Sequence, residues 1–137
     1  MKLKVHLILA VFFLTIINAQ VFKEIYEHPD FDNLTKNHKI VAILPFTVTL
    51  TDKAIPEGMT EEDLLTQKEN EGYSFQSSVF SRFLKKSKKY RISFQDIDKT
   101  NLLLKKNEIT HDKLDDYSKD ELAKILGVDA VISGQIQ

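Results

Sequence analysis

The chain has 137 residues, with 19 Lys+Arg against 20 Asp+Glu, four His and no Cys. That length holds one domain of ordinary size, and 42% hydrophobic with 28% charged residues excludes a disordered or fibrous chain. Without cysteine there is no disulfide framework, thiolate zinc site or acylated cysteine, and a net charge of −1 gives no reason to expect a nucleic-acid surface.

Met1-Lys2-Leu3-Lys4 is a basic start. An apolar run follows from Leu7 to Ile17, and Asn18-Ala19 then precedes the polar Gln20. This is the layout of a secretory signal peptide with Ala19 at the −1 position. The apolar run of eleven residues is shorter than the roughly 20 needed to span a bilayer. Residues 1–19 are therefore expected to be cleaved, leaving an exported protein, periplasmic or secreted, with no integral membrane span. The remaining 118 residues carry 17 basic and 20 acidic side chains, net −3. The 17 Lys against 2 Arg in the whole chain suggest an A+T-rich bacterial genome.

Residues 20–38 read as a polar lead-in, with a short helix near 22–27 and then an irregular strap around His28-Pro29. Ile40-Val41-Ala42-Ile43-Leu44 is a continuous β-branched-rich run. It suits a strand covered on both faces, as in a parallel sheet, with Pro45 at its end and Thr47 to Leu50 continuing after a bend. Thr60 caps a long helix whose first turn holds Glu61, Glu62 and Asp63, where the helix dipole favours anions. Its apolar stripe runs through Leu65, Gly72, Tyr73, Val79, Phe80, Phe83 and Leu84, and Lys85, Lys86, Lys88 and Lys89 close it. Gly72 and Gln76 stand in the stripe against the pattern: Gly72 implies a close backbone approach or a break, and Gln76 a buried amide in need of partners.

Tyr90, Ile92 and Phe94 alternate with polar residues, as in a strand with one dry face. Asp98 or Thr100 then caps a helix carrying Leu102 to Leu104, and Thr110 starts another turn or two through Leu114 and Tyr117. Ser118-Lys119-Asp120-Glu121 is a capping box ahead of Leu122, Ile125 and Leu126, with Gly127 as the stop. Val128 to Ile136 reads as a final strand. The order is β-α-β-α-α-β, a three-layer α/β domain over residues 39–137 with a mainly parallel sheet.

Two segments now take on a joint meaning. Ile40 to Phe46 resembles the opening strand of the curli-production assembly component family and of the related amino-terminal domain of TolB. Leu126-Gly127-Val128-Asp129-Ala130-Val131-Ile132-Ser133-Gly134 resembles a later strand of the same group. The lead-in, His28-Pro29-Asp30-Phe31 with Asn37-His38-Lys39, also looks like small secreted proteins of Bacteroidota. The resemblance implies a three-layer α/β domain used in bacterial envelopes for assembly and interaction, and it does not imply catalysis. It also implies further strands beyond Gln137. The sheet is thus expected to be incomplete at its C-terminal side, with Val131 and Ile136 on an edge that invites pairing.

Candidate chemistry is sparse. His28, His38 and His111 make no H-x₃-H or H-E-x-x-H pair, and Asp30 to Asn33 opens like a calcium loop but lacks its Gly and distal Glu. No metal or cofactor is expected. Asp96/Asp98 and Asp115/Asp116 suit caps and solvated surface better than acid–base work. The serine run from Ser74 to Ser81 lies inside the helix, and the cations from Lys85 to Arg91 suit a helix C-terminus, with lipid headgroups or acidic polymers as the functional counterpart.

The expected function is that of a non-catalytic interaction or assembly domain, with a protein partner or self-association and no nucleic acid. The alternative is a small-ligand-binding or hydrolytic domain using the crevice at the carboxyl ends of the strands. Phe46, Thr47, Gln76, Asp96, Asp98 and Gly134 are its candidate lining.

Overall fold

A computed structural model of the protein describes residues 26–50 and 58–137. The expected signal peptide, and most of the short helix expected near 22–27, lie outside the described residues. The chain divides into two units, residues 1–33 and 34–137.

In the lead-in, Tyr26 and Glu27 are not helical. The regular element comes later, as α1 (Phe31–Thr35), where an irregular strap was expected. It follows a turn in which the Phe31 N–H donates to the His28 carbonyl at 2.9 Å and the Asp30 N–H donates to His28 Nδ1 at 3.1 Å. Pro29 permits this because its fixed φ suits the entry to a helix.

The second unit is an α/β fold with parallel strands, as the sequence pattern predicts. Its elements are β1 (Ile40–Ile43), β2 (Thr47–Val48), α2 (Glu61–Leu84), β3 (Ser93–Phe94), α3 (Ile97–Lys106), α4 (Lys119–Leu126), β4 (Ala130–Ile132) and β5 (Gln135–Ile136). Three-residue-per-turn helix covers Ser87–Lys89 and His111–Asp116. The first sheet has the order β3-β1-β4 and the second is β2-β5, all parallel.

β1 lies in the centre, which explains its unbroken apolar run. Val41 and Phe94 are register partners, so they share a face, and there the Phe94 ring stacks on Phe83 of α2 at 4.8 Å. On the other face Ala42 and Leu44 join Leu104, Ile109, Leu114, Leu122 and Leu126 in one core cluster. The sheet is therefore a middle layer between α2 and the α3–α4 pair. Ile43, Leu44, Leu122 and Leu126 are fully enclosed, each worth about 1.5–3 kcal/mol of burial.

Three expectations need correction. The final strand is two strands, interrupted at Ser133-Gly134. The Leu44 N–H donates to the Ile132 carbonyl at 2.9 Å, and the next bond of the ladder joins the Thr47 N–H to the Gly134 carbonyl at 3.0 Å. Three steps on one strand thus oppose two on the other, which is a bulge. Pro45 supplies no N–H there, and the strand bends into a second sheet. Second, only Ser93–Phe94 of the Tyr90–Gln95 segment pairs; Tyr90 instead sets its ring edge-on against Phe83 at 5.6 Å and Phe94 at 5.8 Å.

Third, α3 is capped by Asp96, whose carboxylate accepts from the N–H groups of Asp98 and Lys99 at 2.9 and 3.3 Å, and not by Asp98 or Thr100. Thr100 is fully buried. The other caps fall as expected: reciprocal boxes join Thr60 with Asp63 and Ser118 with Glu121, and Gly127 ends α4 in the left-handed region at φ 65°. Along α2 only Gly72 and Gln76 are buried, while Leu65 and Leu84 of the expected stripe are exposed. No helix among the described residues is long and apolar enough to cross a membrane.

Candidate functional site

The carboxyl ends of the strands bring Phe46, Thr47 and Gly134 together. Because Phe46 is the extra residue of the bulge, its backbone leaves the ladder and must be satisfied elsewhere. Its N–H donates to the Gly72 carbonyl of α2 at 3.2 Å. Its carbonyl accepts from His111 Nε2 at 2.8 Å, and since a carbonyl only accepts, that ring nitrogen carries the proton. The Phe46 ring lies over Gly134, where any Cβ would collide with it, and stacks on Phe75 at 6.3 Å.

The space in which a ligand of these strands would rest is thus occupied by a side chain of the protein. Thr47 is half-buried and its hydroxyl donates to Asp115 Oδ2 at 3.2 Å. Burial, and then the charge of Glu69, hold the Tyr73 phenol above its ordinary pKa, and its ring is tilted against His111 at 6.2 Å.

Gln76 lies fully buried beneath this group. Its Nε2 donates to the Ile43 carbonyl at 2.7 Å and to Asn101 Oδ1 at 2.9 Å, and its Oε1 accepts from Asn101 Nδ2 at 3.0 Å. The amide therefore ties α2 to α3 across the end of β1 and exposes nothing to a cleft. A second buried amide, Gln95, donates to the Leu126 carbonyl at 3.0 Å and accepts from the Thr100 hydroxyl at 3.0 Å. Asp96 is occupied by its cap, and Asp98 sits exposed in the first turn of α3. Of the six crevice candidates, Phe46, Thr47 and Gly134 meet directly, Gln76 supports them from below, and the two aspartates belong to a helix start.

Sequence reasoning gave no role to Asn101, and left His111 without a partner. Asn101 has a legible signal: it falls among leucines on the inner side of its helix, as Gln76 does on α2. Asp129 was also missed as a clamp. Its carboxylate accepts the backbone N–H groups of Lys39 and Ile40 at 2.7 and 2.8 Å. Those bonds, that of Ile40 first, hold its pKa below the ordinary carboxylate value.

Among the described residues no three His, Asp or Glu side chains converge on a point where a metal ion would fit. The serine run lines an open groove of about 480 Å³ on α2, formed by Ser74, Ser77, Ser78, Ser81, Arg82 and Lys85. Its hydroxyls have no histidine or carboxylate among the lining residues to act as a base. No family model, curated protein or solved structure matches the chain.

Proposed function

We propose that this domain is a non-catalytic interaction and assembly unit of an exported bacterial protein, and that it accepts a strand of a partner protein on the open edge of β4. The observation that carries the reading is the state of that edge. Among the described residues β4 has a strand neighbour on one side only. Because Ile132 bonds to Leu44, the alternation of the ladder turns the N–H and C=O of Val131 away from β1.

Native edges of this kind are ordinarily guarded by Lys, Pro or a covering element. Residues 130–137 contain no charged residue and no proline, and the acid just before them, Asp129, is engaged with β1. The opposite edge, β3, is two residues long and follows Lys88, Lys89 and Arg91. One side of the sheet is thus defended and the other is open to strand addition. The likeness of Ile40–Phe46 and Leu126–Gly134 to envelope assembly proteins supports the same reading, and the apolar run of residues 7–17 supports export. The ligand-crevice alternative is disfavoured by the Phe46 ring over Gly134.

The test is a pull-down from the native envelope, with Val131→Pro as the control. Proline at this position removes an outward N–H and leaves the bonds to β1 in place. The expected result is a partner, or a second copy, retained by the wild type and lost by Val131→Pro at unchanged thermal stability. A wild-type protein that stays strictly monomeric and captures nothing would overturn the reading.

A further inference from the structure

We propose that the end of the domain where the strands begin is a docking surface for a membrane leaflet rich in anionic phospholipid. The topology builds this surface. The strands are parallel, so the helix that leads directly into the next strand runs back along the sheet. α2 leads into β3 and α4 into β4, and both finish beside the strand amino termini, where Ser93 bonds to Lys39 and Asp129 to Lys39 and Ile40. Cations are favoured at helix C-termini, and Lys124 closes α4. The acidic first turns of α2 and α4 belong to the opposite ends of those helices. A chain of nearly balanced charge is therefore polarised along its strands.

The end of α2 goes further than dipole compensation requires. A helix C-terminus carries roughly half an elementary charge, whereas Arg82, Lys85, Lys86, Lys88, Lys89 and Arg91 place six cations in ten residues with no acid among them. All six are exposed. The ion pair among the described residues joins Lys119 to Asp115, away from this cluster. Lys39 adds to it from the start of β1, where its carbonyl accepts from the Ser93 N–H at 2.7 Å. The acid at this end, Asp129, already holds two backbone N–H groups.

Apolar side chains stand among these cations. Leu84 is 48% exposed, Ile40 41% and Tyr90 38%. Cations that meet headgroup phosphates, beside apolar groups that rest at the acyl boundary, make an interfacial binding surface. A nucleic acid would engage the same charges but offers nothing to Leu84 and Ile40. The inference stands on charge and exposure, independently of strand addition at β4.

The experiment is co-sedimentation of the full chain with vesicles of phosphatidylcholine alone and with vesicles of equal parts phosphatidylcholine and phosphatidylglycerol. Residues 1–25 are the same in every sample, so only differences between variants and between lipids are read. The expected result is binding at least about tenfold stronger to the anionic vesicles, lost in high salt. The combined Lys85→Gln, Lys86→Gln, Lys88→Gln and Lys89→Gln variant is expected to lose about tenfold or more of it, and the same four positions as Arg to retain it. Leu84→Ala should weaken binding by a smaller factor, and Val131→Pro should not change it. Equal binding to both vesicles, or wild-type binding by the glutamine variant, would overturn the proposal. So would capture by DNA or heparin under conditions where vesicles are not bound, which would assign the surface to a polymer.

Discussion

The carbonyl oxygen of Phe46 rests so close to the Cα of Gly72 that no side chain fits between them, while the Phe46 N–H bonds to the Gly72 carbonyl. A strand bulge and the middle of a long helix are thereby joined backbone to backbone. The absence of one methyl group makes the contact possible.

Gly72→Ala is therefore expected to destabilise the protein, although alanine is the better helix former by about 1 kcal/mol. The new Cβ would strike the Phe46 carbonyl and the His111 ring, and moving backbone costs more than a propensity gain returns. A net loss of about 1–3 kcal/mol is expected, read as a lower urea midpoint at unchanged slope. A raised midpoint would show that α2 can retreat from the strand at little cost.

The Gln76–Asn101 pair makes a different prediction. Gln76→Leu fits the volume but strands the Ile43 carbonyl and both polar ends of Asn101, so it should cost about 1–3 kcal/mol. Asn101→Leu added to it removes the orphaned amide and should recover part of that loss. A double-mutant cycle measures the coupling, and strictly additive losses would mean that the two amides do not act as one unit.

The pH dependence follows from carboxylates held below their ordinary values. Asp129 is held by the Ile40 and Lys39 N–H groups, Glu121 by the backbone N–H and then the hydroxyl of Ser118, and Asp63 by the hydroxyl and then the backbone of Thr60. For such groups the stabilisation is complete above the unfolded pKa of about 4 and is lost as pH falls through the lower folded value. Thermal melts should therefore fall steeply below about pH 4. Asp129→Asn should melt lower than wild type at neutral pH, and the gap should close in acid. A gap that stays constant with pH would mean that the charge of Asp129 is not what holds β1.

Much of the fold is legible in the sequence because local chemistry and global position agree. The cap at Thr60, the capping box at Ser118, the stop at Gly127 and the unalternating run of β1 each follow from short-range rules, and each falls where the pattern puts it. The break between β4 and β5 is not legible from residues 128–136, because its cause lies some ninety positions earlier in Pro45 and Phe46. The site divides in the same way. Gln76 is visible as a polar residue on an apolar stripe, but its partner sits on another helix. His111 carries no signal in the sequence until the bulge presents it with a carbonyl. Asp96 and Asp98 stand at a strand end as a catalytic pair would, yet the first is needed by the helix that follows it.

The position of β1 also governs the order in which this chain can fold. The central strand comes first, and its contacts reach 54 residues ahead to Ser93 and 89 residues ahead, from Ile40, to Asp129. Loops of that length must close before the strand gains any ladder bond, which makes nucleation slow and non-local. A chain emerging from its amino terminus can therefore pair β1 with β3 once Ser93 has followed, but cannot cover its other side until α4 and β4 are out. Until then its most apolar strand is paired on one side at most and open to whatever factor handles nascent chains.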